Sequence, residues 1–249
     1  MQFIGSNKSI EGSNMKMKRM FKLFLTALLA MFVLAACSSK TETAKEPVQK
    51  EEKAVEETSK LSKGNPIVVN EEEKTVQVYA TVNGKYLVTP TRHGANWVDG
   101  KYGDQAVFKT YADPLLFNEA LTKLGGTPAV EKGGDASKEF KETAEGKFIK
   151  GDTVNVSITW EGADKDFDIN DVMVDSTGKK LEYHFGGNYD AAAAKVTGCF
   201  MCFDSCPVGI TSNANQPVGA FESGAAEFHG NADVLPEDGT GVILTYNFQ

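Results

Sequence analysis

The chain has 249 residues, 41% of them hydrophobic, and a formal net charge of −8. That length suffices for one domain with a real core, and no basic stripe runs through it, which argues against nucleic acid as a partner. The stretch before Cys37 holds five basic residues and one acid, so the chain from Cys37 onward is four charges more negative than the whole, about −12. Acidity of this size favours solubility and repels anionic surfaces.

Met1 to Asn14 has no signal character and reads as an upstream extension. Lys16, Lys18, Arg19 and Lys22 then form a positive segment ahead of an apolar run from Leu23 to Leu34. The run is about a dozen residues long, whereas a spanning helix needs roughly 20, so it reads as a secretory signal. It closes in Leu34-Ala35-Ala36-Cys37, which resembles the lipobox of bacterial lipoproteins. That resemblance implies that Cys37 receives the lipid (palmitate or a similar chain) and becomes the new N-terminus. Several acyl chains on one residue anchor stably. The expected location is therefore the cell envelope, outside the cytoplasm, with a membrane as partner through the anchor. Ser38 to Gly64 is rich in Lys, Glu and Thr and has no aromatic residue, so it cannot bury enough apolar surface to fold and reads as a charged tether. The domain organisation is 1–36 extension and signal, 37–64 lipidated cysteine and linker, and 65–249 one globular domain.

Within that domain, Pro66 to Val69 and Thr75 to Val82 read as strands, the second with Val76, Val78, Ala80 and Val82 on one face. Asn83-Gly84 signals a hairpin turn into a strand at Lys85 to Val88. Thr91 to Gly94 and Asp99 to Asp104 read as loop, and Gln105 to Tyr111 as strand. Asp113 is an N-cap with Pro114 in the first helical position, Leu116, Phe117, Ala120, Leu121 and Leu124 form an apolar face, and Gly125-Gly126 ends the helix. Thr153 to Trp160, Ile169 to Val174 and Leu181 to Phe185 follow as strands, with a turn at Ser176-Thr177-Gly178. Tyr189 to Lys195 makes two helical turns, and Gly241 to Phe248 is a closing strand. The expected fold class is α+β, mostly antiparallel β-sheet with one well-formed amphipathic helix and a cysteine-rich loop.

The chemistry concentrates in Gly198-Cys199-Phe200-Met201-Cys202-Phe203-Asp204-Ser205-Cys206-Pro207. Cys199, Cys202 and Cys206 have the spacing C-x2-C-x3-C-P, and three thiolates so close suit a soft metal, either zinc or iron–sulfur iron. The spacing coincides with the last three cysteines of the bacterial ferredoxin run, whose first cysteine would fall at Val196. A fourth ligand must then come from elsewhere, and His93, His184 or His229 could supply it. His93 is the best placed, in a predicted loop between Arg92 and Gly94. The signal has Lys18-Arg19 rather than a twin arginine, which points to export as an unfolded chain and weighs against a cluster built in the cytoplasm. Three readings stay open: a metal or cluster site, a redox-active thiol pair, and one structural disulfide such as Cys199 to Cys202 with a thiol left over. No nucleophile paired with a base, no phosphate-binding glycine loop and no zinc-helix histidine pair is present, so an enzyme is not expected.

Taken together, Pro90-Thr91-Arg92-His93-Gly94, Tyr111-Ala112-Asp113-Pro114 with Ala120-Leu121 and Gly125, Phe185-Gly186-Gly187-Asn188, and Gly198-Cys199 through Cys206-Pro207-Val208-Gly209-Ile210 with Ser212-Asn213 are similar to the YdjY-domain family. These are exported bacterial proteins, often lipoproteins, sometimes labelled ferredoxin-like. The resemblance spans nearly the whole domain and implies an iron–sulfur (4Fe–4S) or other redox role. The first expectation is thus an envelope protein whose Cys199, Cys202 and Cys206 hold an iron–sulfur centre and pass electrons to a membrane partner. The alternative is a non-catalytic binding or structural lipoprotein whose cysteines form a disulfide, or hold zinc. The anchor is directly testable: fatty-acid labelling of the wild-type protein should vanish in Cys37→Ala, and labelling that survives the substitution refutes acylation at Cys37.

Overall fold

Alternation of apolar and polar residues sets the three longest strands. In the computed structural model, which describes residues 61–134 and 147–248, β2 (Thr75–Val82), β5 (Thr153–Trp160) and β12 (Gly241–Phe248) each bury every second side chain. β12 lies between the other two, antiparallel to both. The register stacks Val78, Leu244 and Ile158 in one row and Val76, Tyr246 and Val156 in the next. All six are buried, so burial fixes the register, because a slip by one residue would turn every apolar group outward.

From this seam the sheet continues through β8 (Tyr183–Phe185), β10 (Thr211–Asn213), β9 (Cys199–Cys202), β3 (His93–Trp97) and β4 (Ala106–Thr110). β4 then pairs back onto β2, which closes an eight-stranded barrel. Both β3–β4 and β9–β10 are parallel pairs, so the barrel is mixed. β1 (Ile67–Asn70) and β4 share one edge of β2, the first pairing at Thr75 to Val78 and the second at Ala80 to Val82. β6 (Phe167–Asp168) pairs with β5, while β7 (Met173–Asp175) and β11 (Phe228–Gly230) make a separate two-stranded ribbon. The fold is mostly β with few short helices, as the residue pattern predicts. No helix among the described residues is long and apolar enough to cross a membrane.

The well-formed helix, α1 (Pro114–Lys123), starts where expected: the Asp113 carboxylate accepts from the Leu115 N–H at 2.8 Å, and Pro114 needs no partner there. Phe117 is fully buried and meets Phe200 of β9 at 4.7 Å and Tyr246 of β12 at 4.6 Å between ring centroids. One side chain thus joins the helix, the central seam and the cysteine strand. A short turn, α2 (Ile169–Val172), and α3 (Tyr189–Lys195) complete the helices described.

Three local expectations change. Asn83-Gly84 does not open a hairpin: a 3₁₀ turn follows at Gly84–Leu87, held by the Gly84 N–H on the Asp238 carboxylate at 2.8 Å. Ile169 begins a helical turn capped by Asp168, whose carboxylate accepts from the Asn170 N–H, and only from Met173 is the chain a strand. His93 and Gly94 belong to strand β3, and Cys199 to Cys202 of the expected cysteine-rich loop to strand β9, with only Cys206 in a loop. Local pattern could not reveal β3, since His-Gly-Ala-Asn-Trp has no alternation and is held by neighbours distant in sequence. Truncating Phe117 to alanine should cost about 3–5 kcal/mol, the range for buried phenylalanines, read as a lower urea midpoint.

Candidate metal centre

Cys199 and Cys202 stand at the two ends of β9, three residues apart. In a regular strand they would point to opposite faces. The pairing with β3 is irregular, however: Cys202 opposes His93, Met201 opposes Ala95 and Cys199 opposes Asn96, leaving Phe200 and Gly94 without opposite numbers. The extra residue in β9 shifts the alternation and lets both sulfurs gather beside His93. Gly94 permits the close approach, since a Cβ there would lie 3.3 Å from that of Met201.

His93 Nδ1 is 3.5 Å from Cys199 Sγ. His93, Cys199 and Cys202 are all buried, and their ligand atoms lie within 4.8 Å of one another. Cys206 packs against the other two cysteines but is not part of this close trio. All three thiols are free, with no disulfide among them. His184 and His229 go elsewhere: His184 pairs with Glu182 at 2.8 Å, and His229 Nδ1 contacts the Gly230 carbonyl. Val196, where a ferredoxin run would carry a cysteine, is exposed in left-handed conformation at the end of α3. Cys37 lies outside the described residues.

The electrostatics divide the thiols. A hydrogen bond from Cys202 holds the Cys199 thiol well below its ordinary range against the opposing effect of burial, aided by His93 and Thr197. Cys202 moves well upward, because it bonds to Cys199 and Cys206 in its protonated form and is wholly buried. The two thiols are thus unequal: Cys199 gives up its proton more readily, and Cys202 holds its own. Arg92 is also held firmly protonated: burial opposes its charge, but Cys206, Cys202 and Asp204 outweigh that effect.

The segment after β9 is pinned by polar side chains. Ser205 Oγ accepts from the Ile149 N–H at 2.8 Å and donates to the Gln216 carbonyl at 2.9 Å. The Asn188 amide donates to the carbonyls of Cys206 and Gly209, and Asn213 donates to that of Phe203. Asp204, fully buried, accepts from Arg92 at 2.9 Å. Gly209 makes room for the central sulfur, as a Cβ on it would stand 2.8 Å from Cys202 Sγ. On the other flank the Tyr102 ring stacks on His93, 5.6 Å between centroids. Its turn is clipped to the chain before Cys199 by Lys101 N–H on the Val196 carbonyl and Trp97 N–H on that of Gly198. Gly198, at φ +85°, crosses Gly100 too closely for a Cβ on the latter, which would sit 2.5 Å from the Gly198 Cα. A cleft of about 320 Å³ opens on this group, with Arg92, His93, Tyr102, Cys199, Cys206 and Glu222 in its wall.

These features fall within residues 67–247, which match the model of the YdjY domain. The chain belongs to the YdjY-domain family. It is 40% identical over 220 residues to the Escherichia coli (strain K12) protein named "Uncharacterized protein YdjY", covering 88% of this chain and 91% of that one. No solved structure matches. In this YdjY domain the sequence pattern singles out His93 and the three cysteines but not Asp204, Ser205, Asn188, Tyr102 or Gly209, which position them. Asp204 and Ser205 had a visible signal, two polar residues inside an apolar cysteine run. Removing the Ser205 hydroxyl should strand the buried Ile149 N–H and cost about 1–3 kcal/mol. Ser205→Ala is therefore expected to lower thermal stability and to speed alkylation of Cys206 in the native protein.

Proposed function

We propose that this protein is a lipid-anchored envelope protein that binds one soft metal ion through His93, Cys199 and Cys202, with Cys206 as the fourth ligand. The convergence of an imidazole nitrogen and two sulfurs within 4.8 Å, all buried, carries the reading. Donors bound at roughly 2.0–2.3 Å to a tetrahedral ion stand about 3.3–3.8 Å apart, so only small adjustments separate this arrangement from a closed site. The depressed Cys199 thiol supports it too, since metals bind thiolates. Cys206 packs with the other two cysteines and shares the cleft wall with His93 and Cys199, so it is the sulfur placed to join them.

A four-iron cluster suits these donors less well. It calls for four cysteines as a rule, and the described domain offers three, with His93 beside two of them at single-ion spacing. The metal defines the role: zinc would make the site structural, whereas iron or copper would supply one-electron chemistry to a membrane partner that the tether keeps near. The signal segment and Leu34-Ala35-Ala36-Cys37 support the anchor.

The test uses full-length Cys37→Ser protein, reduced and stripped of metal under anaerobic conditions. It should take up one equivalent of zinc or cobalt. His93→Ala, Cys199→Ser and Cys202→Ser should each weaken binding by more than the roughly 10–100-fold that loss of an outer-sphere partner costs. No uptake of zinc, cobalt or iron would refute the proposal, and uptake of four irons with sulfide would replace the single ion with a cluster.

A further inference from the structure

Arg92 immediately precedes His93, where β3, the cysteine segment and the cleft meet. Its carbonyl accepts from the Phe203 N–H at 2.9 Å. Its guanidinium reaches the Asp204 carboxylate at 2.9 Å, and its other amino group pairs with Glu222 on the rim. Asp204 is fully buried and stands midway in sequence between Cys202 and Cys206. The Phe221 N–H, at 3.5 Å, is the other donor to that carboxylate. Arg92, Cys199 and Cys206 share the wall of the same cleft.

Ion pairs with a buried member are seldom the cheapest way to stabilise a fold, because apolar replacements of similar volume often do as well or better. A cation here has a more specific use. Three thiolates around a divalent ion leave one net negative charge in a dry site, and arginine is the side chain that cannot escape by losing its proton. The planar guanidinium also fixes its partner's direction, which a lysine does less well.

Resting on the metal-binding reading above, we propose that Arg92 is a positioning residue for that site. Through Asp204 it holds the segment from Cys202 to Cys206 against the strand that carries His93, and its charge offsets the thiolates so that Cys206 completes the ligand set. It touches no metal itself. Its contribution is to affinity and to the number of sulfurs bound.

Cobalt titration of the reduced, full-length Cys37→Ser chain separates this from a purely structural role. Arg92→Met combined with Asp204→Asn removes both charges without leaving one buried alone. That variant should bind cobalt about 10–100-fold more weakly, as expected for an outer-sphere partner. Its thiolate-to-cobalt charge-transfer absorption per bound ion should also fall, because Cys206 no longer ligates. Arg92→Lys, keeping the charge but not the fork, should recover part of both. If the double variant does not fold by circular dichroism, Arg92→Gln combined with Asp204→Asn makes the same comparison, with two neutral amides still able to hydrogen-bond to each other. Unchanged affinity and absorption overturn the role of Arg92 and leave the metal site standing. A weaker site with full charge-transfer intensity and no recovery by lysine also overturns it, as loss of stability alone gives that pattern. A wild-type chain that takes up neither cobalt nor zinc overturns the metal reading and this inference together.

Discussion

The irregular pairing of β3 with β9 is the constraint on which the site depends. It joins two segments about a hundred residues apart and sets His93 opposite Cys202. The unpaired Phe200 shifts the alternation of β9, so that two cysteines three residues apart approach the same histidine. Phe200 is also the residue that α1 covers through Phe117. The shift that gathers the sulfurs therefore turns an aromatic ring into the core, where burial of its area stabilises it. Site and core share this one irregularity.

Several polar groups are buried to maintain it. Asp204, Ser205, Asn188 and Asn213 are all fully or nearly fully buried, which is costly unless each finds partners. They find them mainly in backbone carbonyls and N–H groups of the cysteine segment, so the loop after β9 is held by side chains where a sheet would use its ladder. Satisfaction is incomplete around the centre: Arg92 Nε, Asn188 Oδ1 and Ser212 Oγ are buried with no hydrogen-bond partner.

Glycine supplies the clearance. Gly94 lets β3 approach β9, Gly209 leaves space for the Cys202 sulfur, and the Gly100–Gly198 crossing brings the turn that carries Tyr102 close enough to stack on His93. Any side chain at Gly209 would displace the central sulfur. In the remainder of the barrel, packing of Val, Ile and Leu rows on β2, β12 and β5 would tolerate conservative change. The two ends of the molecule's chemistry thus obey different rules: volume and pattern govern the seam, and individual contacts govern the cysteines.

Much of the fold was legible in the residues themselves. The strands β2, β5 and β12 show through their alternation, α1 through Asp113, Pro114 and its terminal glycines, and the cysteine spacing marks where the chemistry lies, because each of these signals is local. Sequence also singled out His93 among the three histidines, though as a loop residue. Only tertiary structure decided the rest. Barrel closure, the parallel pairs, and β3 itself arise from hydrogen bonds between segments distant in the chain, and His-Gly-Ala-Asn-Trp has no periodicity that reveals them. The same holds for the division among the three thiols. Their spacing in sequence is nearly uniform, but a strand bulge places Cys199 and Cys202 beside His93 while Cys206 sits on the loop beyond, and that distinction exists only once β9 is paired.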